Sequence, residues 1–301
     1  DLKVAEGTVI SSYGDVQNNK SRATQSAIHA LLADVYLWKE NYDSCVYYCD
    51  QILDLTDRYS LLPSLLWFDN YSKGHTVESI FEFYFDETQK NTLFDVLAPK
   101  GSGNYNYKPS ANALERLDYT VEIIRGYGSY NPFASEDVIW KYIGRESSNS
   151  STSLRSNKFS ANFIVYRLAD IMLMKAEALV EQDKLAEALE LVNEIKIRAR
   201  VSPVTELGGK DNLRELVLEE RALELAFEGK RWWDLIRMGR RNNYENMDDF
   251  IRIITKGMPV VEKIVVENRL KNKDSWFFPI HVDELRANYK LVQNPFYETE
   301  F

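Results

Sequence analysis

The chain has 301 residues, of which 45% are hydrophobic and 28% are charged, and its formal net charge is -9. A chain of this length can bury a large core, and its acidity argues against a nucleic-acid partner, which would favour a basic surface. The sequence has no run of about 18 apolar residues, so it predicts no membrane-spanning helix.

The first regular pattern is a helical hairpin at about residues 22–55. Small and apolar residues recur at helical spacing up to Trp38, a short polar turn follows, and the pattern then resumes. The two cysteines, Cys45 and Cys49, lie one turn apart on the second helix, which is poor geometry for a disulfide. We therefore predict that both are buried free thiols. Without supporting histidines they indicate no metal site.

The same pattern returns at about residues 163–200. Aligning the two hairpins places Ala33 on Ala176 and Cys45 on Ala188, so that small residues occupy matching crossing points. This arrangement is typical of tetratricopeptide repeats. The sequence therefore predicts a scaffold of helical hairpins.

Between the hairpins, at about residues 64–160, the pattern becomes irregular and long loops are expected. Alternating or apolar runs predict strands at 79–85 and 138–143, and a short helix is expected near 112–117. Residues 126–134 are rich in turn-forming residues and are expected to form a turn.

The last part of the chain contains further local patterns. A polar helix is expected near Phe250, and a short helix at 282–287. Residues 260–266 are rich in β-branched side chains, which favours a strand or an extended loop.

Residues 213–240 combine large apolar side chains with closely spaced charges. They are predicted to form a pair of helices broken at Gly229, which can end a helix in the left-handed conformation. Glu220, Glu224 and Glu228 follow one another at intervals of four residues, and like charges at this spacing weaken an isolated helix. If these carboxylates are partly buried, arginines must offset them, because a lone buried charge is costly. The local candidates are Arg221, Arg231 and Arg237.

The run at 220–237 closely resembles the signature of the SusD/RagB family, and the segment 276–295 resembles the C-terminal signature of the same family. The members are surface lipoproteins of Bacteroidetes that bind nutrients, mostly glycans. The resemblance covers about residues 22–297. It implies that the motif at 220–237 is structural.

The expected fold is therefore mainly α, with tetratricopeptide-like hairpins, a few short strands and one loop-rich face at about 64–160. The resemblance implies a single SusD-like domain over 1–301 with the α/α superhelix of that family. Family members are usually longer at the N-terminus. We therefore expect that the N-terminal part of the family domain, with its lipid-bearing end, is missing from this sequence.

Aromatic side chains make up 13% of the chain, and several fall in the irregular segment. An aromatic ring can cover the apolar face of a sugar, while amide and charged groups bind its hydroxyls. The family places its ligand site largely in such loops, and the segment 103–109 resembles part of its ligand face. The ligand-binding candidates are Trp67, Tyr105, Asn106, Tyr107, Tyr130 and Trp140. The alternative is that these aromatic residues only fasten long loops onto the helices.

The sequence contains no recognisable catalytic motif, its three histidines are isolated, and it predicts no catalytic residue, cofactor or metal site. The resemblance implies a non-catalytic protein at the outer-membrane surface, held only by a lipid anchor outside this sequence. Its expected partners are an oligosaccharide or another nutrient, and a SusC-like TonB-dependent transporter that receives it. The alternatives are a helical-repeat adaptor that binds a peptide or protein, and a glycosidase that uses carboxylates such as Glu220.

Overall fold

The computed structural model describes residues 1–98, 107–131, 138–144 and 160–298. The chain divides into two compact units, Asp1–Arg231 and Trp232–Phe301. The expectation of one domain over both units stays a prediction. In the described part of either unit, no helix is both long and apolar enough to cross a membrane.

The first unit is mainly helical. Its helices are α1 (Leu2–Glu6), α2 (Val16–Ser21), α3 (Gln25–Trp38), α4 (Tyr42–Leu53), α5 (Asp69–Ser72), α6 (Leu93–Leu97), α7 (Ala111–Arg116), α8 (Ile123–Ser129), α9 (Leu168–Glu181), α10 (Leu185–Arg198) and α11 (Lys210–Glu224). A short 3-10 helix lies at Ser64–Leu66.

Two short antiparallel sheets also lie in the described part of this unit. They pair β1 (Ser79–Phe83) with β4 (Phe163–Arg167), and β2 (Tyr130–Asn131) with β3 (Val138–Ile139). β1 confirms the strand predicted at 79–85. The strand predicted at 138–143 is shorter than expected, because β3 ends at Ile139.

Two of the predicted helical hairpins are present, with α3 and α4 forming the first and α9 and α10 the second. The second begins at Leu168 and not at about 163, because residues 163–167 form β4. Thr24 caps α3 and Asn41 caps α4, each by accepting a backbone N–H group from the first turn. Ala33, Cys45 and Ala176 are fully buried. Because their side chains are small, the helices can approach closely. Both cysteines are buried and free, as predicted.

Helix α8 includes residues 126–129, so the turn predicted at 126–134 is wrong there, and residues 132–134 lie outside the described residues. The turn-forming residues of the helical part include Gly126 and Gly128, but both face other parts of the chain at close range. A Cβ atom on Gly126 would stand 2.7 Å from the carbonyl oxygen of Leu117, and one on Gly128 would overlap the ring of Trp67. These glycines therefore permit close packing, not a change of chain direction.

The second unit contains helices and one fully buried tryptophan. Its helical segments are α12 (Arg231–Tyr244), α13 (Met247–Ile254), α14 (Val260–Leu270), α15 (Val282–Ala287) and 3-10 turns at Lys273–Trp276 and Pro295–Tyr297. Trp276 is buried and stacks on Phe250, with 3.9 Å between the ring centroids. The helices α13 and α15 confirm the two helices predicted in this part of the sequence.

Helix α14 contradicts the strand or extended loop predicted at 260–266. Four of the five β-branched residues there share one exposed helix face, because they recur at positions i, i+1, i+4 and i+5. They are Val260, Val261, Ile264 and Val265. The modest preference of β-branched residues for strands did not decide the local structure.

Candidate functional site

The structure separates the predicted ligand-binding residues into three groups. Trp67, Tyr130 and Trp140 are buried, with exposed fractions of 1%, 4% and 4%. Tyr107 is exposed, at 62%. Tyr105 and Asn106 lie outside the described residues. The prediction that these aromatic side chains offer exposed rings is therefore wrong for the first group.

The two buried tryptophans lie together in an aromatic cluster. Its buried aromatic members are Trp67, Phe68, Tyr71, Trp140 and Tyr142. The indole N–H of Trp67 donates to the Glu224 carboxylate at 3.0 Å, which fixes the ring in the interior. Tyr130 lies apart from this cluster and packs with Leu117 and Leu223. These contacts agree with the alternative that aromatic residues fasten the loops onto the helices.

A set of buried charges, here called the buried ion cluster, lies against the aromatic cluster. Its members are Glu78, Glu122, Arg125, Lys141, Arg167, Arg198, Glu220, Glu224 and Glu228. They come from α8, β4, α10 and α11, and from the segments next to α8, β1, β3 and α11. Buried charges persist only when they are paired and hydrogen-bonded, so this cluster couples distant parts of the first unit.

Arg167, the last residue of β4, is the centre of the cluster. Its Nη1 donates to Glu78 and to Glu224, both at 2.7 Å. Its Nε and Nη2 donate to Glu228 at 3.0 Å and 2.9 Å. Arg198 donates to Glu78 and Glu224 as well. The fixed fork of a guanidinium group suits it to bind several carboxylates at once.

The arginines suggested by the sequence are not the cations of this cluster. Each has another partner: Arg221 pairs with Asp170, Arg231 donates to the carbonyl of Leu218, and Arg237 pairs with Asp234. The prediction that these arginines offset the glutamates is therefore wrong. The sequence offered one indication that Arg167 is a buried cation. It lies directly before the apolar helix α9, where a charged side chain is difficult to expose to solvent.

The cluster also shifts the pKa values of its members. Burial alone would raise the pKa of Glu224, but the surrounding arginines hold it well below its usual range. Burial would also raise the pKa of Glu228, but Arg167 and Lys141 lower it below its usual value. Burial lowers the pKa of Lys141 to about 8, although Glu228 opposes this shift. For Glu220, burial raises the pKa, and neighbouring cations offset the effect only in part.

The exposed aromatic side chains between residues 64 and 160 include two that the sequence analysis missed. Phe83 is 53% exposed and Tyr84 is 37% exposed. Both fall in the segment predicted as a strand, where they were not considered as ligand contacts. The available signal was that aromatic residues occupy consecutive positions there, and such residues point to opposite faces of a strand.

Comparison with known proteins identifies relatives of this chain. The sequence model described as the SusD family matches residues 63–297. The SusD-like protein P38 of Formosa agariphila is 34% identical over 146 residues, covering 43% of this chain and 28% of that protein. A SusD superfamily protein of Bacteroides vulgatus has a TM-score of 0.73 and 20% identity, covering 98% of this chain and 66% of that one. A laminarin-binding SusD-like protein has a TM-score of 0.67 and 21% identity, covering 98% of this chain and 67% of that one.

The curated relatives are longer than the part this chain matches. The chain spans 28%, 20% and 54% of the length of three SusD-like proteins of Formosa agariphila. The solved structures, at such low identity, show a shared mainly helical fold. The family model, in contrast, matches most of the sequence. The chain therefore belongs to the SusD family.

Proposed function

We propose that this protein captures an oligosaccharide or another nutrient at the outer-membrane surface without catalysing a reaction on it. It delivers the ligand to a SusC-type TonB-dependent transporter and is held at the membrane by a lipid anchor. The observation that carries the proposal is the match to the SusD family over residues 63–297.

A glycan is the ligand class that we favour. One structural neighbour, which shares the fold over 98% of this chain, is named as a laminarin-binding protein. Tyr107 is 62% exposed, so its ring is free to cover the C–H face of a sugar. Tyr105 and Asn106 precede it directly in sequence, and an amide can both donate to and accept from sugar hydroxyls.

The carboxylates of the signature motif support a structural role, not catalysis. Glu220 is 1% exposed and Glu224 is fully buried, and both are paired with arginines. A glycosidase needs two carboxyl groups that face the scissile bond, which these positions do not offer. The contacts favour binding over the glycosidase alternative. The adaptor alternative predicts a peptide ligand on the hairpins and no dependence on Tyr107.

Affinity electrophoresis in gels that contain laminarin or other soluble polysaccharides tests the glycan proposal. We expect at least one glycan to retard the chain, and Tyr107→Ala to reduce the retardation. Tyr47→Ala is the matched control, because Tyr47 is an exposed tyrosine, at 54%, on α4. Retention by no glycan, together with binding of a peptide, would favour the adaptor.

Two further measurements test the remaining parts of the proposal. Sugar release from a bound glycan, abolished by Glu220→Gln, would contradict the non-catalytic role. Delivery is tested by co-purification with a SusC-type transporter, where a stable complex is expected. If the two proteins never associate, the delivery step is wrong even when glycan binding is intact.

A further inference from the structure

A polar and aromatic site lies at the end of β1, outside the candidates taken from the sequence. At its base, Gly74 and His75 both adopt the left-handed backbone conformation, with φ angles of 65° and 50°. A positive φ is uncommon for any residue other than glycine, and it persists only where the surrounding contacts hold it. Here those contacts come from Glu82 and Asn162.

Glu82 is a fully buried carboxylate with two kinds of donor. It accepts the backbone N–H of His75 at 2.9 Å and 3.1 Å, and the side-chain amide of Asn162 at 2.8 Å. A Cβ atom on Gly74 would stand 2.6 Å from the amide nitrogen of Asn162, so a glycine is needed at this point. The left-handed turn is therefore held by a specific set of polar contacts.

The same contacts determine which nitrogen of His75 carries a proton. Asn162 accepts the backbone N–H of Phe85 through Oδ1 at 3.2 Å and donates to Glu82 through Nδ2, which fixes the orientation of its amide. Nδ2 also lies 3.2 Å from Nε2 of His75, and because Nδ2 can only donate, Nε2 accepts. The neutral imidazole then carries its proton on Nδ1, which has no hydrogen-bond partner among the described residues.

Tyr84 places an aromatic ring beside this donor. Its ring centroid lies 5.6 Å from that of His75, with 30° between the ring planes, and the residue is 37% exposed. Among the described residues, neither ring has a lysine or arginine partner, and Lys20, which interacts with Glu82, donates its ammonium group to the carbonyl of Ser79. Anionic ligands are usually held by such cations. The site therefore suits an uncharged ligand that has both an apolar face and hydroxyl groups.

We propose that Tyr84 and His75 form a subsite for an uncharged sugar unit. The ring of Tyr84 covers the C–H face of the sugar, and the Nδ1–H group of His75 donates to a hydroxyl. This inference rests on the proposed function of glycan capture. It adds a contact at the end of β1, separate in sequence from the segment that contains Tyr107.

Isothermal titration calorimetry on the full chain tests the subsite. The uncharged probes are oligosaccharides from laminarin, xylan and mannan, and the anionic probe is an alginate oligosaccharide. We expect an uncharged probe to bind more tightly than alginate. Tyr84→Ala should weaken that binding about tenfold, and Tyr84→Phe, which keeps the ring, should weaken it less. His75→Asn removes the imidazole while tolerating the left-handed backbone, and should weaken binding about fivefold.

Tyr47→Ala is again the matched control, and the melting temperature of each variant shows whether it is folded. If an uncharged glycan binds equally well to Tyr84→Ala and to the control, the subsite is wrong while the proposed function stands. If no glycan binds the wild-type chain, the proposed function fails and the subsite fails with it. Tighter binding of alginate would overturn the uncharged class. Tyr84→Leu, which keeps an apolar side chain, replaces Tyr84→Ala should that variant unfold.

Discussion

Removing the guanidinium group of Arg167 should destabilise the first unit strongly. Arg167→Met keeps a long side chain in the core but leaves Glu78, Glu224 and Glu228 without the cation that they share. Breaking a buried ion pair by removing one partner costs about 3–5 kcal/mol, because the remaining charge stays buried and uncompensated. Other cations still contact each of these carboxylates, so we expect a value of about 4 kcal/mol and not a multiple of it.

Urea denaturation followed by tryptophan fluorescence measures this cost. Trp67 is a suitable reporter, because it is buried and bonded to Glu224 within the affected region. Arg58→Met is the matched control: Arg58 pairs with Asp57 at 4.0 Å on the surface, and exposed pairs contribute less than about 1 kcal/mol. If the two variants lose equal stability, Arg167 is not the central cation of the first unit.

The other predictions concern a carboxylate, a glycine and the effect of pH. Glu224→Gln should cost about 3 kcal/mol of stability while leaving the glycan affinity of the folded variant unchanged; reduced affinity at an unchanged melting temperature would contradict its structural role. Gly128→Ala places a Cβ atom against the ring of Trp67 and should cost about 1–3 kcal/mol in urea denaturation. Gly7→Ala is the control and should cost nothing measurable, because its φ is -77° and its Cβ atom would make only an ordinary contact, 3.8 Å from the carbonyl oxygen of Val4; equal costs would argue against the close contact. Burial alone would raise the pKa of Asp170, but the lysine and arginine that pair with it lower it from 3.8 to about 2. Because the folded-state pKa is depressed, a contribution of about 2 kcal/mol is present above the unfolded value of 3.8 and is lost as the pH falls through 2; a urea midpoint that stays constant down to this pH would refute the assignment.

The helical hairpins could be predicted because their signal is local. Ala33 and Cys45 recur at the spacing of a helix, and small residues are needed wherever two helices cross closely. The glycines of α8 carried no such unambiguous signal. A glycine permits a turn and a close approach for the same reason, the absence of a Cβ atom, and only the neighbouring ring of Trp67 distinguishes the two.

The partners of the buried charges could not be predicted, because they are brought together by the tertiary fold. Arg167 lies 57 residues from Glu224, and Trp67 lies 157 residues from it. The sequence indicated that the glutamates need cationic partners, but the arginines nearest to them in sequence are not those partners. Whether a candidate aromatic side chain is buried or exposed also depends on the tertiary fold. Trp67 and Tyr107 both lie in irregular segments, and only the packing around them makes one interior and the other exposed.

The buried ion cluster also determines how the first unit can be divided and how it can change. Its charges are distributed from Glu78 to Glu228, so a fragment that ended between these positions would bury carboxylates or guanidinium groups without their partners. Loops that contribute no member to the cluster are under no such constraint, since a longer surface loop costs little in closure entropy. Insertions and substitutions can therefore accumulate in such loops while the buried ion pairs stay the same. A scaffold of this kind lets one fold acquire new ligands without rebuilding its core.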